Sequence, residues 1–491
     1  MNIFNIQEVE KIADDLGRPC LIPLVSTTKG CADPAKLYLN LRALHSPSYL
    51  LESAEGPGEA ARYSIIGCDP LLLVRVHGAE YDIKGRSDLV KLARNNVEAG
   101  RADALEVLKE AMFLKNMSVP SVGLRYMLGV VGYIGYDFVR SLVDIGSHTI
   151  DDLHQPELEF MLPERMIIFD HLAHKTHYCS LMSLTDGFDA QGAYGRALSN
   201  LKELKNMKKG TSLAKRHIRM VTSSNIERSK FERHVELAKH YIRAGDIIQA
   251  VLSRRIELDP APPLEQFYLN LRRINPSPYM FFLDFPERSV VGSSPEILVK
   301  VDGRKVVTRP IAGTRRRGRS KADDMVMERE LREDEKERAE HVMLVDLGRN
   351  DIGRVSEFGS VRATEFMKVE KYSHVQHLVT NVVGRIRKDS DAFDALRATF
   401  PAGTVTGAPK VRAMEIIDEL EPTRRGIYAG AVGSFSYAGD ADLAITIRTL
   451  IAERGKGYIQ VGAGIVADSV PWKEYYETGN KARALLAAAG V

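Results

Sequence analysis

A stretch in the second half of the chain alternates polar and apolar positions with the spacing of an α-helix. Glu337, Glu340, His341 and Leu344 fall on one face of a helix that has about 3.6 residues per turn. Gly348 follows the last apolar turn, where a glycine commonly ends a helix. The pattern therefore predicts a helix that ends near Gly348 and presents two carboxylates on one face.

A second helix of similar design is predicted to begin at Pro471, a residue that suits a first helical turn. Asp468 and Ser469 before it are candidate caps. The polar face of this helix then carries Glu474, Glu477 and Lys481.

Carboxylate pairs on two helices offer the oxygen ligands that Mg²⁺ prefers. The alternative interpretation is that both pairs lie on solvated helix faces, with Glu477 and Lys481 as an i,i+4 ion pair at the surface. Spacing alone favours this alternative, because charged runs usually face water. The flanking sequence has to decide between the two interpretations.

Short apolar and alternating stretches predict many strands. These are residues 22–25, 48–52, 71–77, 128–138, 165–170, 177–182, 247–257, 279–285, 289–293, 297–301, 305–308, 430–437, 441–452 and 457–461. Further helices are predicted at residues 87–95, 102–114 and 226–244. Because the strands follow one another as hairpins, we expect an α+β fold with large, mainly antiparallel sheets packed with flanking helices.

A polar, lysine-rich stretch interrupts these patterns at residues 198–224, and such a composition is typical of a connection between folded units. At roughly 150 residues per domain, the chain has room for two or three domains or for one large sheet-based body. We therefore predict an N-terminal region, residues 1–215, and a C-terminal region, residues 216–491.

Composition narrows the classes of function. A net charge of +3 over 491 residues gives no overall field that would favour nucleic acid or an anionic membrane as a partner. The four cysteines show no paired spacing, which fits a reducing compartment. The first residues lack the pattern of a signal peptide, and no apolar run reaches the ~18 residues of a membrane span. We expect a cytoplasmic protein with no membrane or nucleic-acid partner.

Two glycine-rich stretches resemble nucleotide motifs without matching them. Residues 462–467 fit G-x-G-x-x-A after a strand, but the next helix is predicted to begin at Pro471 rather than at the glycines. Residues 403–410 resemble a phosphate loop, yet Pro409 and Val411 stand where such a loop needs other residues. Both stretches keep a simpler interpretation, in which backbone amides approach an anion.

Eight motifs follow one another in a fixed order: SSPEILVK, TRPIAGTRRRG, DEKERAEHVMLVDLGRND, VQHLV, AGTVTGAPKVRAMEIIDELEP, RRGIYAGAVG, LAITIRTL and IQVGAGIVADSVPWKEYYETGNKA. In this order they resemble the chorismate-utilising enzymes, and within that family the large subunits of anthranilate synthase. The resemblance is dense over residues 225–485 and weaker before them. It implies a chorismate-binding catalytic C-terminal region and an N-terminal region that carries part of a tryptophan regulatory site.

The resemblance implies a Mg²⁺ site on the two predicted helices. Glu340 and Glu477 are similar to the family's metal ligands, and Glu337 and Glu474 are similar to residues that support them through water. The ion would bind the ring carboxylate of chorismate and polarise the ring.

The resemblance also implies a set of catalytic residues. Glu296 is similar to the acid that protonates the departing ring hydroxyl group, a role that suits a carboxyl group whose pKa is raised by burial. His377 matches the family's active-site histidine, and His374 does not. Gln249 and Thr404 complete the catalytic candidates.

The substrate contacts implied by the resemblance surround these residues. Arg448 and Tyr428 are similar to the pair that holds the enolpyruvyl carboxylate, which suits the fork of an arginine side chain. Gly462 and Gly464 would donate backbone amides. The remaining implied contacts are Lys481, Ala312, Gly313 and Thr314.

Two positions separate the branches of the family. Members that add water at ring carbon 2 carry lysine in the place of Gln249, and aminodeoxychorismate synthases commonly carry lysine in the place of Ala312. The resemblance therefore implies ammonia as the nucleophile and anthranilate as the product, with aminodeoxychorismate synthase as the alternative. A catalytically silent regulatory subunit is a further alternative. It predicts that Glu296, His377 or the glutamate pairs are substituted, but all of them are present.

A tryptophan site for feedback inhibition is implied by two other matches. Glu52 and Ser53 belong to an LLES element, and Pro278, Tyr279 and Met280 end an NPSPYM element. The sequence departs from the family at Ser434, where an aromatic residue is often found near this pocket.

The nitrogen source is expected to involve a second protein. Glutamine hydrolysis normally uses a cysteine on a tight glycine turn with a histidine base nearby. Cys20, Cys31, Cys68 and Cys179 all lack that setting. The resemblance implies a glutamine amidotransferase subunit that delivers ammonia near Gln249, in a heterotetramer.

Overall fold

The computed structural model describes residues 4–53, 62–97, 103–112, 128–185, 187, 189–207, 218–371 and 375–491. Its strands are β1 Cys20–Lys29, β2 Ser48–Glu52, β3 Tyr63–His77, β4 Glu80–Gly85, β5 Gly129–Ile134, β6 Leu158–Asp170, β7 Lys175–Leu184, β8 Val221–Ser224, β9 Gln249–Asp259, β10 Tyr279–Asp284, β11 Arg288–Ser294, β12 Ile297–Asp302, β13 Lys305–Thr308, β14 Ile311–Arg316, β15 Arg362–Lys371, β16 Val375–Arg385, β17 Gly407–Ala408, β18 Ala431–Ser436, β19 Ala441–Ile445, β20 Thr449–Glu453 and β21 Lys456–Ile465.

The helices pack around these strands. They are α1 Ile6–Leu16, α2 Pro34–Arg42, α3 Ser87–Asn96, α4 Ala104–Ala111, α5 Ala190–Asn206, α6 Arg228–Ala244, α7 Leu264–Ile274, α8 Lys321–Glu333, α9 Glu335–Gly353, α10 Ala392–Thr399, α11 Lys410–Leu420 and α12 Pro471–Ala489. Short 3-10 turns at Tyr136–Ser141 and Gly403–Val405 complete the described helical structure.

The strands form two large antiparallel sheets that share β3 and β6. Each of these strands changes partners along its length, and the register between them shifts near Pro70. The first sheet continues from β3 through β2, β10, β11, β20, β21, β9 and β8, and from β6 through β7 to β1. The second continues from β6 through β5, β18, β19, β12, β13 and β16, which also pairs with β14 and β15. The predicted α+β fold with large, mainly antiparallel sheets is confirmed.

Apolar side chains of both sheets meet between them. This interior includes Tyr133, Met161, Phe281, Val432 and Ile451. Helices α2, α7 and α12 bury the outer face of the first sheet, and α3, α4 and α10 bury that of the second. Because β10 is buried on both faces, its residues 280–283 are all apolar and do not alternate with polar ones.

The chain crosses from one sheet to the other at two places that lie side by side. One crossing, between β11 and β12, contains Glu296, and the other, between β19 and β20, contains Arg448. The amide of Ile445 donates to the carbonyl of Glu296 at 3.0 Å, and the amide of Ser293 donates to the carbonyl of Arg448 at 3.1 Å. The prediction of one strand over residues 441–452 is wrong, because the chain turns at Arg448, which has φ 50°.

Helix α9 carries the first predicted carboxylate stripe but extends beyond the predicted end. It runs to Gly353, so Gly348 lies inside the helix and the prediction of a helix end there is wrong. A Cβ atom at Gly348 would lie 3.2 Å from Cγ2 of Thr308. Glycine at this position therefore allows the helix to pack closely on β13 rather than to end.

Helix α12 begins at Pro471 as predicted, but its caps differ. Val470 occupies the cap position without a side-chain hydrogen bond to the helix, so the prediction of Asp468 or Ser469 as the cap is wrong. The Ser469 hydroxyl instead accepts a hydrogen bond from the amide of Val466 at 3.1 Å. It therefore stabilises the turn before the helix.

Some predictions fall on residues outside the described part of the chain. These include the boundary at residue 215, His374 and the ends of the helix predicted at residues 102–114. Strands β2 and β5 of the N-terminal region pair with β10 and β18 of the C-terminal region, and the division into two domains stays a prediction. None of the described helices is both long and apolar enough to cross a membrane.

Candidate active site

Glu296 lies in a buried polar pocket at the first sheet crossing. Burial raises the pKa of its carboxyl group to about 8, while the Thr404 hydroxyl, the Ile311 amide and the Arg448 charge oppose the rise. The Thr404 hydroxyl is near enough to Glu296 to oppose the rise in its pKa. It has no hydrogen-bond partner within the described residues. A carboxyl group with this pKa keeps its proton at neutral pH and can act as a general acid.

A bulge in β14 orients His377. The register between β14 and β16 shifts at Gly313, which has φ 66°, and the Gly313 carbonyl accepts a hydrogen bond from Nδ1 of His377 at 3.0 Å. That bond assigns the proton to Nδ1 and leaves Nε2 in the acceptor form. Burial lowers the pKa of His377, and the charge of Arg448 adds to this effect against the opposing hydrogen bond. The imidazole is therefore neutral at pH 7.

Tyr428 and Lys481 both approach Gly462 of β21. A Cβ atom at Gly462 would lie 2.8 Å from the Tyr428 hydroxyl oxygen, so glycine is needed to leave room for this side chain. Lys481 donates to the Gly462 carbonyl at 3.0 Å and pairs with Glu477 at 2.8 Å. The strand thus brings a phenol and an ammonium group to the same end of the site.

Gln249 begins β9 and faces Gly464 of the neighbouring β21. A Cβ atom at Gly464 would lie 2.7 Å from Nε2 of Gln249. Oε1 of Gln249 is buried and has no hydrogen-bond partner within the described chain. Because an unsatisfied buried acceptor costs free energy, its presence here is consistent with a role in binding a ligand.

The two predicted carboxylate pairs come together between α9 and α12. Burial raises the pKa of Glu340, and repulsion from Glu337 and Glu477 adds to the rise. Burial also raises the pKa of Glu474, and repulsion from Glu477 adds to that rise. Because such repulsion acts over short distances, the four carboxylates form one acidic cluster.

This cluster fits a hard divalent ion. Glu337 pairs with Arg315 at 2.9 Å and Glu477 pairs with Lys481, whereas Glu340 and Glu474 form no salt bridge within the described residues. The ion pairs of Glu337 and Glu477 each use only Oε1, so all four glutamates keep carboxylate oxygens that could bind Mg²⁺.

The acidic cluster is open rather than closed. Among the described residues, the one set of at least three His, Cys, Asp or Glu side chains whose ligand atoms lie within 4.8 Å of one another is His45, Cys68 and Asp69. The four glutamates are therefore more widely spaced than a closed cage. Such spacing suits an ion that keeps several waters.

The segment 312–314 connects the acidic cluster to His377. A Cβ atom at Gly313 would lie 3.1 Å from Oε2 of Glu337, and Ala312 is buried beside it in β14. The side chain of Thr314 lies outside what the structure describes. Close contacts and short-range charge interactions link the predicted residues into one site. They run in the order Gln249, Gly464, Gly462, Tyr428, Lys481, Glu477, Glu340, Glu337, Gly313, His377, Arg448, Glu296 and Thr404.

The predicted effector residues lie elsewhere, on β2 and β10. Glu52 pairs directly with Met280 across the two strands. The Glu52 carboxylate accepts hydrogen bonds from Tyr268 at 2.8 Å and from Arg272 at 2.7 Å. Ser53, which follows Glu52, lines a surface concavity together with Arg272.

The other effector candidates are divided between the two faces of β10. Pro278 is buried before the strand, and Met280 packs under α7. Tyr279 points to the opposite face, where its hydroxyl donates to Asp442 at 2.9 Å. The structure therefore does not bring all five predicted effector residues to one surface.

Two residues at the site were not predicted to act there. Nη1 of Arg448 donates to Oδ1 of Asn275 at 3.2 Å, so Asn275 joins the effector segment to the substrate end. Arg425 lies over Tyr428, 5.7 Å from its ring centroid, and donates to the Val405 carbonyl at 2.7 Å. Asn275 belongs to the NPSPYM element and Arg425 to the RRGIYAGAVG motif, but their contacts are tertiary and leave no periodic signal in the sequence.

The fold and this site define a class of enzyme. Residues 46–487 match the family model described as chorismate binding enzyme, and the chain belongs to that family.

The relatives narrow this class further. The chain is 46% identical to anthranilate synthase component 1 of Acetivibrio thermocellus, over 90% of this chain and 89% of the relative. It is 41% identical to the protein of the same name from Aquifex aeolicus, over 99% and 98% of the two chains. The crystal structure of anthranilate synthase component I from Streptococcus pneumoniae superposes with a TM-score of 0.72 at 37% identity, covering 88% of this chain and 93% of that one.

Proposed function

We propose that this chain is the large subunit of anthranilate synthase, which converts chorismate and ammonia to anthranilate and pyruvate. The observation that carries the proposal is the juxtaposition of a protonated, buried Glu296 with Arg448 and His377 at one end of a site whose other end is an acidic cluster. Gln249 and Ala312 support ammonia rather than water as the nucleophile and anthranilate rather than aminodeoxychorismate as the product.

Glu296 is assigned the role of the acid in the first step. Ammonia forms a bond to ring carbon 2 while the bond from carbon 4 to its hydroxyl group breaks. The proton of Glu296 goes to the departing oxygen, which leaves as water. The resulting aminodeoxyisochorismate then loses its enolpyruvyl group as pyruvate together with a ring proton, and the ring becomes aromatic.

Arg448 and Tyr428 are assigned to the enolpyruvyl carboxylate. The pKa of Arg448 is lowered by burial, and the nearby Glu296 charge opposes this effect. When Glu296 is neutral, Arg448 has no carboxylate partner among the described residues, which favours binding of an anionic substrate group. His377, neutral and held by the Gly313 carbonyl, is positioned to contact the ring without adding charge.

Glu340, Glu477, Glu337 and Glu474 are assigned to Mg²⁺. When bound, this ion would supply charge neutralisation for the ring carboxylate and polarise the ring. The glutamates would hold such an ion at the exposed end of the site, away from the buried Glu296. This arrangement orients the substrate between the two ends.

The product test separates the candidate functions. The purified chain is incubated with chorismate, MgCl₂ and ammonium salt, and products are separated by liquid chromatography. We expect anthranilate and pyruvate in equal amounts. Accumulation of aminodeoxychorismate would favour the alternative branch, and absence of any chorismate-derived product with the ion and ammonia present would contradict the proposal.

A glutamine amidotransferase subunit is proposed as the ammonia source. Burial raises the pKa of the Cys68 and Cys20 thiols, and that of Cys179 to about 12, so these thiols are poor nucleophiles. The Cys31 thiol donates to the Lys175 carbonyl at 3.4 Å. We expect anthranilate from ammonium salt but not from glutamine when the chain is alone. Comparable product from glutamine without a second subunit would contradict this expectation.

Tryptophan is proposed as a feedback inhibitor that binds near Glu52 and Ser53. The concavity beside these residues supports the proposal. The bond from Arg448 to Asn275 offers a physical connection from this segment to the substrate.

A further inference from the structure

A small cavity is lined by Glu296 and by residues of helix α9. It has a volume of about 30 Å³, which exceeds the roughly 10–15 Å³ that one water molecule needs on this measure. Its polar lining includes Glu296, Thr404 and Asp351, and Gly348 and Leu347 of α9 form part of its apolar lining. The cavity is therefore polar and large enough to hold water between two carboxyl groups.

Asp351, which lines this cavity, forms an ion pair with Lys410. Nζ of Lys410 lies 2.8 Å from Oδ2 of Asp351 and donates to the Thr399 carbonyl at 3.1 Å. Asp351 lines the cavity, and each of the two side chains is 13% exposed. Arg354 is the other charged group that acts on both of them.

We propose that the Asp351–Lys410 pair returns a proton to Glu296 through water held in this cavity. This inference rests on the proposed role of Glu296 as the acid. After Glu296 gives its proton to the departing oxygen, Lys410 transfers a proton to Asp351, Asp351 transfers one to the water, and the water transfers one to the Glu296 carboxylate. The Lys410 amine then regains a proton from solvent, so the net change is one proton moved from solvent to Glu296.

The environment of the pair favours such a transfer. Burial raises the pKa of Asp351 and lowers that of Lys410, so moving a proton between them costs less than it would in water. Besides Thr404, the groups that act on the Glu296 carboxyl group are the Ile311 amide and Arg448, and neither of them releases a proton at neutral pH. Asp351 and Lys410 are thus positioning residues that act through Glu296.

The test compares Asp351→Asn and Lys410→Arg with wild type and with Asp346→Asn. Asp346 is on the same helix as Asp351 but is 66% exposed. Rates are measured with ammonium salt, saturating chorismate and MgCl₂ over a range of pH. We expect kcat to fall by about 10²-fold in both variants, the lower end of the range for a positioned proton donor, with KM for chorismate within twofold of wild type and a larger solvent isotope effect. Asp346→Asn should behave as wild type.

Lys410→Arg separates a relay from a structural ion pair. Arginine keeps the charge beside Asp351 but does not release its proton, so a purely structural role predicts full activity in this variant. As a second readout, formate should restore part of kcat in Asp351→Ala and have no such effect in Asp346→Ala.

The outcomes are distinguishable from those of the proposed function. Wild-type kcat and pH profile in Asp351→Asn and Lys410→Arg, with activity lost in Glu296→Gln, would overturn the relay alone. Full activity in Glu296→Gln would contradict the assignment of Glu296 as the acid, and the proposed relay would fail with it. If Asp351→Asn is shown by thermal melting to be misfolded, Lys410→Arg and the formate experiment decide.

Discussion

The two ends of the candidate site differ in how they treat water. Glu296 and His377 are each 7% exposed, whereas the side chains of Glu477 and Lys481 are 48% and 51% exposed. Burial is what raises the pKa of Glu296 and keeps its proton in place. An ion that retains water ligands needs access to solvent instead. One pocket therefore combines a buried end, where Glu296 keeps its proton, with an exposed end that can accept a hydrated ion.

Activity should be more sensitive to substitution at the buried end, which contains Glu296. Glu296→Gln removes the acidic proton while preserving shape, so we expect kcat to fall by about 10³-fold, within the range typical of a general acid. The measurement is the initial rate of anthranilate formation from chorismate and ammonium salt. Asp302→Asn, at the exposed end of β12, is the matched control. More than a tenth of wild-type kcat in Glu296→Gln would show that this carboxyl group is not the acid.

Substitutions at the exposed end, which contains the acidic cluster, should change how activity depends on Mg²⁺. Glu340→Gln and Glu477→Gln each remove one anionic oxygen, and we expect about 10² lower activity at limiting Mg²⁺. Higher MgCl₂ should restore part of the loss in these variants but none in Glu296→Gln. Asp346→Asn, exposed on α9, serves as the control. Wild-type turnover at limiting Mg²⁺ in both variants would contradict the assignment of the ion to this cluster.

Substitution outside both ends should change regulation rather than turnover. Ser53→Phe fills the concavity beside Glu52, and we expect the tryptophan concentration for half inhibition to rise by about tenfold. Turnover without tryptophan should stay within twofold of wild type. Ser223→Phe on the exposed β8 is the control. Unchanged inhibition in Ser53→Phe would place the effector site elsewhere.

The smallest expected effect is on stability, and it depends on pH. The pKa of Glu296 rises from its ordinary value of 4.5 to about 8 in the folded chain. Between these values the folded state holds a proton that the unfolded state has lost, so the free energy of unfolding decreases as pH rises through that window. Glu296→Gln removes the free-energy cost of ionising this buried carboxyl group. Thermal melting should show the variant more stable than wild type at pH 9 by a few degrees and nearly equal at pH 5.

Local patterns in the sequence predicted much of the fold. Strands β2 and β13 were predicted with the bounds observed, because their short apolar runs end at turn residues. The two carboxylate stripes were predicted because helical spacing is visible over a few turns. Gly348 was misinterpreted because a glycine that permits close packing resembles one that ends a helix.

The site was less accessible to such reasoning. The neighbouring positions of Glu296 and Arg448 depend on two sheet crossings that are far apart in sequence. No periodicity marks the turn at Arg448, and its contact with Asn275 is tertiary. The roles of these residues were predicted from the family resemblance, and the structure supplies the physical reason for their proximity.

The pairing of N-terminal strands with C-terminal strands has a consequence for biosynthesis. Nε2 of Gln155 donates to Oε1 of Glu453 at 3.1 Å, although the two residues are 298 positions apart. Strands β2 and β5 must likewise wait for β10 and β18 before their edges are paired. On the ribosome, the nascent N-terminal part therefore carries open strand edges that are prone to intermolecular pairing. Because such distant contacts close slowly, we expect the yield of native protein to depend on chaperones and on the speed of translation through β18 to β21.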